Sequence, residues 1–394
     1  MSVRNSVPLV EVAEVFNGKT PSKSEQRSRG HPVLKIKDVS DLGEFRGTFD
    51  SFIDPELADA YANKQLREGD TLILNAAHNA NYVASKTFRV QRPTVGAFAT
   101  GEWLVLRPVE SRLDPGFMFH WVNSPDTRRA IRDMVKGIHL YPKDVARLRI
   151  SLPPLPEQRR IAEILDKADA LRTKRRAALA QLDTLIQSIF LDLFGDPATN
   201  PKRWPKRAFG EVCETRLGKM LDQKQQTGKH RRPYLRNANV QWFRFDITSL
   251  FEMDFDDDDR RIFRLQSGDL LICEGGEPGR AAVWRGELEE CYFQKALHRA
   301  RPNPNLALAE YLAWLLWFLN QAGMLSGVTS ATIAHLTGEK LAVLPTMLPP
   351  LSLQQEFANR VTSIENVEAS FQTSLHRLDG MFASLQHCAF RGDL

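Results

Sequence analysis

The densest set of side chains that could do chemistry is acidic: Asp254, then Asp256 to Asp259. Carboxylates can hold a divalent cation for phosphodiester cleavage, but they must then converge from separate elements. A consecutive run points its side chains apart, so this one reads as a solvated loop. Gly275-Gly276-Glu277-Pro278-Gly279 is rich in glycine yet follows no cofactor fingerprint, and reads as a tight turn. No Gly-x-x-x-x-Gly-Lys-Ser/Thr loop for nucleotide hydrolysis occurs. The Asn/Asp-Pro-Pro-aromatic loop of amino methyltransferases is also missing, Asn200-Pro201-Lys202 being the nearest approach. No nucleophile elbow is present, although scattered Ser/His/Asp or Cys/His sets stay open. Cys213, Cys273, Cys291 and Cys388 have no paired spacing, which argues for reduced thiols in a cytoplasmic protein and against zinc or disulfides. The expectation is a binder with no catalytic residues, no metal and no cofactor of its own.

What the chain could bind is suggested by its basic residues. The excess is mild, 53 Lys and Arg against 48 Asp and Glu. Its placement says more: Arg27, Arg29, His31, Lys35 and Lys37 cluster early, and Lys229, His230, Arg231, Arg232 and Arg236 cluster at the equivalent place in the second half. Paired basic loops fit a phosphate-binding surface, and they equally fit two solvated loops.

The equivalence rests on an internal repeat. Glu11-Val12-Ala13-Glu14 with Gly18-Lys19 recurs as Glu211-Val212-Cys213-Glu214 with Gly218-Lys219, an offset of 200 (211 minus 11). Gly69-Asp70 with Leu72-Ile73 recurs as Gly268-Asp269 with Leu271-Ile272, and Leu152-Pro153-Pro154-Leu155 as Leu348-Pro349-Pro350-Leu351. So long a period excludes solenoids and propellers, whose units run about 20–50 residues. It implies two domains of one fold. Apolar runs such as Thr71–Leu74, Trp103–Leu106 and Leu270–Cys273, bounded by turn residues, predict strands. Helical patches are expected near Pro115–Val135 and Leu306–Leu325, with Trp121, Trp314 and Trp317 in the core.

Each globule ends in prolines, which bias against helix and mark a boundary. From Glu157 to Phe194 there is neither Pro nor Gly. Steps of four and three pick out a seam of Ile161, Leu165, Ala168, Arg172, Arg175, Leu179, Leu182, Ile186, Ile189 and Leu193. Adding 196 gives Phe357, Val361, Ile364, Glu368, Phe371, Leu375, Leu378, Phe382, Leu385 and Ala389. Two such stripes can cover each other as an antiparallel coiled coil about 55 Å long, holding the globules apart. Arg172, Arg175 and Glu368 either set its register or snorkel at its edge. The fold class is therefore α+β: two pseudo-repeated mixed α/β domains, 1–151 and 197–347, joined by long helices in 152–196 and 348–394. The longest apolar stretch, Leu306–Leu319, holds Glu310 and is too short to span a bilayer, so no membrane is expected.

With these features in place, the chain resembles the specificity (S) subunits of Type I restriction-modification enzymes. The resemblance is carried by Leu152-Pro153-Pro154-Leu155-Pro156-Glu157-Gln158-Arg159 entering the long helix, Phe194-Gly195-Asp196 ending it, and Phe390-Arg391-Gly392-Asp393-Leu394 at the end of the sequence. The second copy departs, reading Ser352-Leu353-Gln354-Gln355 where the first has Pro156-Glu157-Gln158-Arg159.

The resemblance implies a DNA-binding subunit whose two target-recognition domains each read half of a bipartite double-stranded site. Its helices would set the spacer and dock two methyltransferase (M) subunits carrying S-adenosylmethionine, with motor-nuclease (R) subunits joining for cleavage. Phosphates would be met by Lys19, Lys23, Arg27, Arg29, Lys219, Arg231, Arg232 and Lys295. Base edges would be read by Asn75, His78, Asn79, Asn81, His139 and Tyr141 in the first domain, and by Tyr234, Asn237, Asn239, Arg280, Thr329, Ser330 and Thr332 in the second. Two other readings remain at this point: an enzyme with its cleft between the globules, and a coiled-coil scaffold that binds only protein.

Overall fold

The structure is a computed structural model that describes residues 6–222, 226–325 and 335–394. It divides into two compact units, Met1–Ala177 with Gln372–Leu394, and Ala178–Phe371.

The first unit is built on a four-stranded antiparallel sheet in the order Ala13–Asn17, Trp103–Pro108, Thr71–Leu74, Thr87–Arg89, with Val15 opposite Leu106 and Leu72 opposite Val105. Its central strands read as unbroken apolar runs because both faces are covered. Ile73, Leu104 and Leu106 enter one core, while Leu72, Leu74, Trp103 and Val105 enter another, as the two-residue alternation of a strand requires. A smaller sheet places His31–Leu34 between Phe52–Ile53 and Phe98–Ala99.

The second unit repeats this plan strand for strand. Its sheet runs Cys213–Leu217, Leu297–Pro302, Leu270–Cys273, Ala281–Val283, with Leu270 and Ile272 in one core and Leu271 and Cys273 in the other. A smaller sheet sets Arg231–Leu235 between Phe251–Asp254 and Tyr292–Phe293. The first helical patch proves to be two helices, Pro115–Val122 and Pro125–Asp133, because Pro125 starts a new one. The second is a single helix, Ala309–Gln321, and Trp121 and Trp314 are buried as expected.

Two long helices follow the globules, Leu155–Phe194 and Leu351–Arg391. Every expected seam position on both is buried or half-buried. In the first unit Ile161, Leu165 and Ala168 share a core with Phe382 and Ala389. There Arg172 Nε donates to Asp379 Oδ1 at 2.7 Å and its guanidinium lies 4.2 Å from the Phe382 ring centre. In the second unit Ile186, Phe190 and Phe194 share a core with Phe357, Val361 and Ile364, and Phe190 and Phe194 meet the Phe357 ring edge-on at 5.4 and 5.5 Å. Each compact unit thus takes a part of both helices. The helix Leu155–Phe194 is long and apolar enough to cross a membrane by length and composition alone; its seam residues are buried or half-buried, while Leu171, Leu185 and Leu191 are exposed.

The start of each long helix is fixed by a glutamine that the two divergent proline motifs share. Gln158 Oε1 accepts from the Asp114 amide at 2.9 Å, and Nε2 donates to Pro153 O and Arg112 O at 2.9 and 3.1 Å. Gln354 does the same with the Leu308 amide at 2.9 Å and with Pro349 O and Leu306 O at 2.8 and 3.1 Å. Both side chains are fully buried. Gln354→Leu leaves three backbone groups unpaired, each costing on the order of 1–3 kcal/mol when buried. We expect a lowered thermal unfolding midpoint for this variant, and an unchanged one would show that the glutamine does not fasten the helix.

Candidate nucleic-acid interface

In the first unit, strands Ala13–Asn17 and Thr71–Leu74 end where Trp103–Pro108 begins, and four turns meet at that end of the sheet. Asn75 Nδ2 donates to Asn17 Oδ1 at 2.9 Å, and the Asn75 amide donates to Glu102 O at 2.8 Å. The Leu140 amide donates to Asn75 O at 2.8 Å, and Ala76 bridges to His139. Thr20 Oγ1 accepts from the Gly101 amide at 2.8 Å. His78, Asn79, Asn81, His139 and Tyr141 are all exposed on this cluster, which brings together most of the expected base readers. Asn79 Oδ1 accepts from the Asn81 amide at 3.0 Å, so that loop is ordered by its own side chain.

The second unit builds the same cluster. The Glu274 amide donates to Ala296 O at 2.9 Å, the Leu336 amide to Glu274 O at 2.7 Å, and the Lys295 amide to Lys219 O at 2.8 Å. Asn237 Nδ2 adds a bond to Gly275 O at 2.7 Å. Gly18 and Gly218 are required by close approach, since a Cβ would lie 2.3 Å from Ala99 O in one and from Gln294 O in the other. Met220, Asn237, Glu274, Gly275, Lys295 and His335 line a surface cleft of about 480 Å³. Behind it, burial pushes the His298 imidazole below its ordinary pKa, against the Glu274 carboxylate and the bond from Nε2 to Leu336 O at 3.2 Å.

Residues 5–181 and again residues 201–375 match the Type I restriction modification DNA specificity domain. The chain belongs to that family. It is 23% identical over 420 residues to the Type I restriction enzyme EcoKI specificity subunit of Escherichia coli K12, covering 98% of this chain and 88% of that one. It is 21% identical to the StySPI specificity subunit of Salmonella potsdam, covering 99% and 89%. Among solved structures, a chain from a study of complex assembly in the type I R-M system superposes with a TM-score of 0.59 at 19% identity, over 99% of this chain and 98% of that one. The S subunit from M. genitalium gives 0.55 at 12% identity, over 99% and 97%.

Within this specificity-domain pair, several expected contacts prove to be internal. Asn75 is buried and spent on Asn17, so it positions the loop and does not face outward. Tyr234 is buried in the core beneath the smaller sheet. Asn239 is buried too, its amide donating to Asp246 O and Ser249 O at 2.9 and 3.3 Å. Arg280 reaches inward, Nη2 donating to Asn237 O at 3.0 Å beside Glu277. Lys219 points back over its strand to Asp254 O at 2.7 Å and to the Asp259 carboxylate. Arg232 pairs with Glu290 at 3.1 Å, Arg27 with Asp54 at 2.7 Å and, at 3.5 Å in the open, Arg231 with Glu252. Lys19 sits with Nζ 3.2 Å from the Tyr61 ring centre. Lys23, Arg29 and Lys295 are exposed, and Thr329, Ser330 and Thr332 lie outside the described residues.

The acidic run is also corrected. Asp254 ends a strand, nearly buried, and accepts from Thr227 Oγ1 at 2.8 Å and from the Gly228 and His230 amides at 2.7 and 3.2 Å. Burial works against its ionisation, yet these donors hold its carboxyl below the usual range. Asp256 caps the helix Asp257–Phe263 by accepting from the Asp259 amide at 2.8 Å. Among the described residues no cluster of His, Cys, Asp or Glu could hold a metal ion. Cys213 and Cys291 are buried, which pushes both thiols up to about 12. His335, like Glu274, is a cleft residue at a matching repeat position that the sequence reading did not single out. Its signal was the dipeptide His139-Leu140 recurring as His335-Leu336, at the same offset of 196 as the helix seam.

Proposed function

We propose that this chain is the DNA-recognition subunit of a Type I restriction-modification complex, each sheet-end cluster reading one half of a bipartite site. The observation that carries this is the recurrence of one loop cluster at the same end of the same sheet, in both copies of a DNA specificity domain. Phosphate contacts would fall to exposed Lys23, Arg29 and Lys295, and base contacts to His78, Asn79, Asn81, His139 and Tyr141 in the first unit; in the second, Asn237 is spent on Gly275 O and positions the cleft. A protein-only scaffold gives no reason for two such copies.

The long helices are proposed to pair as an antiparallel coiled coil. The contacts of Arg172 with Asp379 and Phe382, and of Phe190 and Phe194 with Phe357, support that register. On this reading the helices dock methyltransferase subunits that bring S-adenosylmethionine, motor-nuclease subunits join them, and the assembly works in the cytoplasm. The chain itself supplies no chemistry. The test is to assemble it with its cognate methyltransferase subunit and S-adenosylmethionine and to sequence the modified DNA. Adenine methylation at a two-part site is expected only from the assembly. Methyl transfer by the pure chain, or an intact assembly that retains no DNA, would overturn the assignment.

A further inference from the structure

The two clusters share a main-chain frame but present different chemistry at its centre. In the first unit the residue that ends the middle strand is Asn75, and its amide is used up on Asn17. By the repeat offsets of 199 (274 minus 75) and 200 (217 minus 17), these positions become Glu274 and Leu217. Leu217 offers no polar partner. The Glu274 carboxylate is half-buried with the buried His298 imidazole behind it, and it makes no hydrogen bond or ion pair with any described residue.

Beside it stands His335. The bond from the Leu336 amide to the main-chain Glu274 O at 2.7 Å fixes the His335 backbone beside that of Glu274, as the bond from Leu140 to Asn75 O at 2.8 Å fixes His139. The following residue is small in both units, Ala76 and Gly275. A Cβ on Gly275 would fall 2.9 Å from His335 Cε1, so the ring lies directly on the glycine. Both side chains line the same open cleft, with exposed Lys295 at its rim.

A carboxylate is an acceptor only, and facing a phosphate it is repelled. Against DNA it finds a donor only on a base. In the major groove those donors are the exocyclic amino groups, N4 of cytosine and N6 of adenine, whereas guanine O6 and thymine O4 are acceptors. Resting on the DNA-reading assignment above, we infer that Glu274 and His335 are the specificity-determining pair of the second unit. Glu274 takes a hydrogen bond from the amino group of a cytosine or adenine, and His335 contacts the neighbouring base edge. A transition at that pair puts an oxo group where the amino group was, and the carboxylate rejects it.

The experiment uses the full chain assembled with its methyltransferase subunit and S-adenosylmethionine, with methylated sites mapped by sequencing. The wild-type complex discriminates against a transition at one base pair of the second half-site. Glu274→Gln, which can donate as well as accept, lowers that discrimination by about tenfold or more. Glu274→Asp keeps the amino preference in weaker form, and His335→Ala relaxes an adjacent position. The first half-site stays unchanged in all three, and unchanged thermal midpoints show that the fold is intact. His335→Gln serves if the alanine variant unfolds. A second half-site kept in full by both Glu274→Gln and His335→Ala overturns the pair while leaving the chain a DNA reader. A wild-type complex with no two-part site overturns the DNA-reading assignment and the pair with it.

Discussion

Asp70→Ala should destabilise the first unit by about 3–5 kcal/mol, the usual cost of leaving a buried charge without its partner. Asp70 is 1% exposed and accepts from Arg107 Nε at 3.0 Å, from Arg107 Nη2 at 2.7 Å and from the Arg67 amide at 2.8 Å. Arg107 is itself buried and ties the Asn63 and Gln65 carbonyls to the sheet at 3.1 and 2.7 Å. Removing the carboxylate strands the guanidinium among backbone groups that water cannot reach. The second unit repeats the pair as Asp269 and Arg301 at 2.6 Å, but there the arginine side chain is 30% exposed. Water can then take over part of the lost partner's work, so Asp269→Ala should cost less. Urea unfolding of the two variants checks both size and order. Equal losses, or a loss under about 1 kcal/mol for Asp70→Ala, would mean that the pair in the first unit is worth no more than a surface one.

This pair also shows what a single sequence reveals. Gly69-Asp70 and Gly268-Asp269 stood out because a repeat keeps what the fold needs twice, and the same logic exposed the helix seams; Gln158 and Gln354 sat where the two copies were read as departing, and it is their shared hydrogen bonds that match them. The covered side of each helix was legible, since a period of alternating three and four residues fixes which side is covered, but Phe190 and Phe194, fully buried against Phe357, lay outside the expected seam. The loops were less legible for a physical reason. Residue type tells that Asn239, Tyr234 or Arg280 can reach a base edge, but not that its hydrogen bonds are already spent inside the protein. Asp254 misled in the same way: a carboxylate in an acidic run looks solvated until the amides of Gly228 and His230 are seen to converge on it. His335 was hidden because the flanking loops differ between copies, leaving only a histidine and a leucine to mark the match.

Exchanging residues 10–150 for the same region of a related specificity subunit should have the largest functional effect. It should replace one half of the recognised sequence outright and leave the other half as it was. The exchange carries the whole first cluster, from the Asn17 turn through the Asn75–Tyr82 loop to His139 and Tyr141. It leaves the helix Leu155–Phe194 and the second cluster untouched. The junctions fall outside the four-stranded sheet, before Ala13 and after Pro108, so its strand pairing and the core of Leu72, Leu74, Trp103 and Val105 travel together, while the other core is completed by the native Ile161, Leu165, Ala168, Phe382 and Ala389. Gln158 then meets backbone groups at the positions of Arg112 and Asp114, which any domain of this fold supplies without regard to side chain. Because the long helices stay native, the number of bases between the two halves should hold as well. Mapping methylated sites for the exchanged and parent complexes separates the outcomes. A pattern altered in both halves, or in neither, would show that the two clusters do not read independently. An altered spacer with both halves kept would place spacing in the globules and not in the helices.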